Sequence, residues 1–255
     1  MSPQYLDAPA TPWVRCPEPR PQARLRLICF HPAGGGPTMY RTWPQSLPAD
    51  VELLAIQLPG RESRIAEPHL TTYQDAVEQA HAAIMPFLDR PYALFGHSMG
   101  AMISYGVALA AQREGRRAPS RLLVSGCAAP AHIRRRPERL EWDDARLVQE
   151  LRAMGGTSPE VLAIPELVEM VLPTLRADYR ICATFSHPQD EQLDCPVAVF
   201  GGTEDTMSQE SLARWADTTR ADSSLRMFPG GHFFLTNAAA PDVLAGIREE
   251  LAEVR

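Results

Sequence analysis

Along the chain, short apolar runs alternate with longer stretches in which apolar residues recur at every third or fourth position. Runs of the first kind predict strands over Leu25–Phe30, Leu53–Leu58, Tyr92–Phe95, Leu122–Ser125, Val197–Phe200 and Leu225–Phe228. The second kind predicts helices over Thr72–Leu88, Ser98–Arg113 and Pro241–Val254. In the first of these, Tyr73, Ala76, Val77, Ala80 and Ile84 share one face behind a Thr71 or Thr72 cap. Strand and helix in alternation imply an α/β fold with a mostly parallel central sheet flanked by helices.

From about 130 to 190 the alternation stops and only helical pattern is found. Asp143–Met154 reads as one helix, and Pro165–Phe185 as a longer one interrupted by Pro173. Between them "MGGTSPE" forms a loop with a fresh cap at Ser158. This is a helical insertion between two strands, expected to serve as a lid, because ligands of parallel sheets bind at the carboxyl edge. Residues 1–23, rich in proline, predict a flexible leader before a domain over 24–255.

Composition narrows the class. With 255 residues, 45% hydrophobic and 22% charged, the chain fits one large domain with a substantial core. No apolar run approaches the ~18 residues of a membrane span, and no secretory signal is present. A net charge of −6 gives no electrostatic reason to bind nucleic acid. The five cysteines, Cys16, Cys29, Cys127, Cys182 and Cys195, contain no CxxC pair, which fits a reducing cytoplasm. We therefore expect a cytoplasmic monomer without nucleic-acid or membrane partners. No HExxH or clustered Cys/His pattern argues for a metal.

The chemistry centres on "ALFGHSMGAMI". Gly96-His97-Ser98-Met99-Gly100 fits G-x-S-x-G, with a predicted strand running in and a helix running out, the setting of a nucleophile elbow. The bland alternative for Ser98 is a helix cap. A serine hydroxyl needs a base, and the base needs an acid to hold its tautomer. His232, in the glycine turn of "PGGHFFL" after the last strand, is the best placed of seven histidines. His31 and His97 belong to loops already explained by their motifs, and His69, His81, His132 and His187 read as surface residues. "FGGTED" puts Glu204 and Asp205 just past a strand; Asp205 is chosen as the acid, with Glu204 as fallback. The order Ser98, Asp205, His232 is that of α/β-hydrolases. In "CFHPAGGG", Pro32 lacks an N–H, so the backbone N–H groups of Ala33 and Met99 are the candidate oxyanion donors. The glycines do not form a nucleotide-binding loop, since neither G-x-G-x-x-G nor any lysine is present.

The blocks "LICFHPAGGG", "AIQLPGRESR", "YALFGHSMGAMISYGVAL", "LRAMGGTSPEVLAIPEL", "LPTLRADYRICATF", "FGGTED" and "PGGHFFL" resemble those of the type II thioesterases that accompany polyketide and nonribosomal peptide synthetases. The resemblance spans Leu25 to Val254. It implies hydrolysis of acyl thioesters from the phosphopantetheine arm of acyl or peptidyl carrier proteins, through a Ser98, Asp205 and His232 triad and an acyl-enzyme. No cofactor is implied, because the phosphopantetheine belongs to the substrate. Met154, Leu162, Met170, Leu172, Tyr179 and Phe185 are candidates for an acyl-pocket wall on the insertion, and packing the insertion onto the sheet is the competing role for each. Arg134, Arg135, Arg136 and Arg139 are candidates for docking an acidic carrier. A carboxylesterase or lipase, a chain-terminating synthetase thioesterase, and a non-catalytic carrier-binding scaffold are the other readings.

Overall fold

The computed structural model describes residues 11–254. Seven strands form one sheet: β1 (Val14–Arg15), β2 (Leu25–Phe30), β3 (Val51–Ile56), β4 (Tyr92–His97), β5 (Arg121–Ser125), β6 (Val197–Gly202) and β7 (Ser223–Phe228). Their order is β1-β3-β2-β4-β5-β6-β7, and β1 alone runs antiparallel to its neighbour. The strands β2, β3, β4 and β6 are buried along their whole length. That is why they read as near-continuous apolar runs rather than as alternating ones.

The alternation of side chains still sorts the residues into two cores. Ile28 and Phe30 face one layer, packed with α1 (Tyr73–Ile84) and α2 (Met99–Arg113). Leu25, Leu27 and Cys29 face the other, with Tyr40, Trp43 and the final helix, which spans Ala240–Ala252. The α1 cap is Thr72, whose hydroxyl accepts the Asp75 N–H at 3.1 Å.

Between β5 and β6 lies the insertion, which carries α3 (Asp144–Met154), α4 (Pro159–Leu162) and α5 (Pro165–Ala183). It has its own small core of Leu147, Leu151, Leu162, Leu172, Leu175 and Tyr179. The cap expected at Ser158 is present, its hydroxyl accepting the Val161 N–H, but it opens the short α4, which was not expected, rather than α5. After β6 come a short helix, α6 (Gln209–Ala213), and then the final helix, α7.

Two expectations are corrected. Pro173 does not interrupt α5, which is continuous from Pro165 to Ala183. Pro173 is exposed, so the bond its nitrogen cannot donate and the crowding of the Glu169 carbonyl by its ring fall on the solvent side of the helix, where water can satisfy the freed carbonyl. The segment 11–23 is also no loose leader. Val14 and Arg15 pair with Ile56 and Ala55, Trp13 O accepts the Gln57 N–H, and Arg20 donates to the carbonyls of Pro48 and Val51. A two-residue edge strand has no periodicity to detect. The rest of the predicted leader, residues 1–10, lies outside the described residues.

The register decides where the site forms. Phe30 pairs with Gly96, His97 with Ser125, Ser125 with Phe200, and Gly202 with Phe228. The loops after β2, β4, β6 and β7 therefore leave from one edge of the sheet. The chain crosses from β3 over β2 to β4, so the β2–β4 boundary is a topological switch point, where parallel sheets open a crevice at their carboxyl ends.

Candidate active site

Ser98 sits at that boundary, between β4 and α2, with φ +55° and ψ −118°. A non-glycine residue held there costs about 1–3 kcal/mol and persists only where its surroundings enforce it. Two features enforce it here. The Ser98 N–H donates to Ser125 O at 2.8 Å. The flanking glycines let the turn close: a Cβ on Gly96 would stand 2.2 Å from Gly100 O, and one on Gly100 would stand 2.1 Å from Phe30 O. The G-x-S-x-G spacing is thus a packing requirement, and its outcome is a hydroxyl held proud of the sheet.

His232, from the loop after β7, reaches Ser98 Oγ with Nε2 at 3.0 Å and Asp205 Oδ2 with Nδ1 at 2.9 Å. The Asp205 side chain is 2% exposed and that of His232 is 10% exposed. Burial pushes the Asp205 carboxyl up, but hydrogen bonds from His232 and from the Thr206 and Met207 backbones outweigh it and leave the group below its ordinary value. An ionised Asp205 fixes the proton on Nδ1 and turns Nε2 into the acceptor for the Ser98 hydroxyl. Glu204, the fallback acid, is exposed.

His97 packs behind this relay, its ring 5.1 Å from that of His232 and its Nδ1 3.0 Å from Ser125 Oγ. Burial, and then the neighbouring His232, hold it far below the ordinary histidine range, so it stays neutral and does not compete for the proton. Of the four histidines expected at the surface, His81 is instead buried on α1 beside Glu114.

The relay opens into a cavity of about 130 Å³. Ala33 and Gly34 line it on the sheet side, Met154, Gly156, Leu175 and Tyr179 on the insertion side, and Phe233 beside the histidine. The N–H of Met99 is the first of α2 and has no intrahelical acceptor. Among the described residues the Ala33 N–H makes no hydrogen bond. Both predicted donors are therefore available at the mouth of the elbow.

Only Met154 and Tyr179 of the predicted acyl-pocket residues line the cavity. Leu162 and Leu172 fill the insertion's own core, Phe185 stacks edge-on against Tyr73 at 4.8 Å, and Met170 is 61% exposed. Helical period alone does not say which apolar stripe faces a void. Leu151 and Leu175 were missed for the same reason. The arginines also divide. Arg134, Arg135 and Arg136 are exposed, whereas Arg139 turns inward to line the cavity, pairs with Glu150 and lies over the Tyr179 ring. Among the described residues, no three His, Cys, Asp or Glu side chains are grouped to hold a metal ion, and no helix is long and apolar enough to cross a membrane.

Comparison with known proteins places this geometry. The model of the thioesterase domain family matches residues 25–251. Gramicidin S biosynthesis protein GrsT of Aneurinibacillus migulanus is 39% identical over 214 residues, covering 84% of each chain. Thioesterase PikA5 of Streptomyces venezuelae is 35% identical over 242 residues, 93% of this chain and 85% of that one. Among solved structures, the type II thioesterase BorB from the borrelidin biosynthetic cluster superposes with a TM-score of 0.86 at 34% identity, covering 94% of this chain and 97% of its own.

Proposed function

The chain belongs to the thioesterase domain family, and from that premise we propose that it is an editing hydrolase of polyketide or nonribosomal peptide synthesis, acting in the cytoplasm on acyl groups carried by acyl or peptidyl carrier proteins. The observation that carries this reading is the unbroken relay from Asp205 through His232 to Ser98 at a largely apolar cavity.

The mechanism follows from the geometry. His232 Nε2 takes the Ser98 proton as Oγ attacks the thioester carbonyl, and Asp205 stabilises the imidazolium. The N–H groups of Ala33 and Met99 receive the developing oxyanion. Collapse expels the pantetheine thiolate, which takes the proton from His232. A water deprotonated by His232 then attacks the acyl-enzyme and releases the acid. An enclosed cavity of about 150 Å³ holds one benzene ring, so the space of about 130 Å³ beside Ser98 suits short acyl groups, and a longer chain must run out through its open side. That selectivity suits an enzyme that clears stalled or misprimed carriers. The insertion supplies the roof, and the exposed Arg134, Arg135 and Arg136 offer a docking face to an acidic carrier.

The test is intact-mass measurement after exposure to acylated carriers of graded chain length. Wild type should release short acyl groups, and Ser98→Ala should release none. The corresponding oxygen esters should turn over far more slowly, an outcome that a general carboxylesterase would reverse. A triple Arg-to-Glu variant at 134, 135 and 136 should lose turnover of carrier-bound substrate but not of a small thioester. Equal rates on both would remove the docking face.

A further inference from the structure

One buried ion pair is not used by the relay. Asp178, on α5, is fully buried, and Arg61, in the loop after β3, is 5% exposed. The pair is bidentate: Nη1 to Oδ2 at 2.9 Å and Nη2 to Oδ1 at 2.8 Å. Two charges taken out of water in this way rarely add net stability against an apolar pair of similar volume, so their presence calls for another reason.

The reason lies in what else they touch. Asp178 Oδ2 also accepts the Gly34 N–H at 2.8 Å, and Arg61 Nη1 donates to Gly35 O at 2.9 Å. Gly34 and Gly35 close the turn that begins at Pro32, with the Gly35 N–H donating to Pro32 O at 3.0 Å and Gly34 at φ +72°. A positive φ at the third position of such a turn is the mark of type II; in type I the peptide between the two central residues is flipped. That peptide joins Ala33 to Gly34. By accepting the Gly34 N–H, Asp178 holds that peptide in one of its two orientations, and by donating to the Gly35 carbonyl Arg61 holds the far end of the turn.

We propose that Arg61 and Asp178 are positioning residues for the oxyanion turn, anchoring through the Gly34 N–H and the Gly35 carbonyl the loop that carries the Ala33 N–H, and that seating α5 through Asp178 is what completes the hole. This rests on the thioesterase reading of the site and on Ala33 as a donor. Asp178 belongs to the insertion, so the element that roofs the chamber also sets the electrostatics of its floor.

Two variants test this. Asp178→Asn keeps the shape and removes the charge, while the double variant Arg61→Met with Asp178→Leu removes the whole pair and leaves no uncompensated buried charge. In folded protein, judged by circular dichroism, both should lower kcat about 10- to 100-fold, below the loss from deleting a whole oxyanion donor. KM for a small thioester should stay within about threefold. Affinity for a trifluoromethyl ketone, whose adduct carries an oxyanion, should fall by the same factor as kcat, and the Gly34 amide should lose protection from hydrogen exchange. A folded variant with wild-type kcat, or a loss confined to KM, would overturn the proposal. So would failure of both variants to fold, since the pair would then be a structural tie. Inactive wild type would count instead against the proposed function, which Ser98→Ala tests separately.

Discussion

At the scale of single residues the decisive asymmetry is between two neighbouring carboxylates. Asp205 is turned inward onto His232 and held ionised, while Glu204 faces solvent. Asp205→Asn should therefore lower kcat by about 10³- to 10⁴-fold, because an amide cannot fix the tautomer that leaves Nε2 free to accept. Glu204→Gln should stay within about twofold, and steady-state kinetics on one thioester separates the two. Ser98, Asp205 and His232 were legible in the sequence because each lies in the loop just past a strand, and a parallel sheet gathers its strand ends. Arg61 and Asp178 were not singled out, although a signal existed. Leu175, Asp178 and Ile181 recur at threes along α5, which sets a carboxylate on an otherwise apolar stripe. What the stripe does not disclose is the partner, 117 positions away.

At the scale of elements, α5 divides at Pro173. Its first two turns expose Ile164, Leu167 and Met170 around their start, while the part beyond buries Leu175, Asp178 and Ile181. The loop joining α3 to α4 is as tightly placed at one point: a Cβ on Gly156 would stand 2.3 Å from the Phe233 ring. Gly156→Ala must push that ring, which neighbours His232 in the chain and in space. Turnover should fall about tenfold with little change in thermal midpoint, since a surface loop absorbs the strain while a relay hydrogen bond does not. Equal activity in wild type and variant would show that the ring yields without disturbing the histidine. Strands and long helices were readable within a few residues from periodicity. The two-residue β1, the short α4 and α6 and the cavity wall were not, because each is decided by tertiary contact rather than by a repeating pattern.

The whole molecule carries a pH dependence separate from catalysis. His31 is buried, and burial, with Arg61 adding to it against the opposing Asp178 and the Pro32 carbonyl, lowers its pKa to about 4. Its pKa is thus lower folded than unfolded, so the unfolded chain takes up a proton first as pH falls. The stabilisation is complete above about 6.5 and is lost between there and about 4. From pH 7 to pH 5 this group alone should remove about 2 kcal/mol, and His97, lowered in the same direction, adds to it. Urea unfolding at the two pH values should show the drop, and His31→Phe should flatten it; an unchanged slope in that variant would assign the effect elsewhere.

Because β5 and β6 are bonded neighbours in the sheet, the insertion between them can vary while their register still aligns the strand ends below it. Nature can trade one such ceiling for another, and with it the diet of the enzyme, without recasting the machinery below. Whatever else a donor segment packs against, it needs a passport for the floor of the chamber: an acid that meets Arg61 where Asp178 now stands.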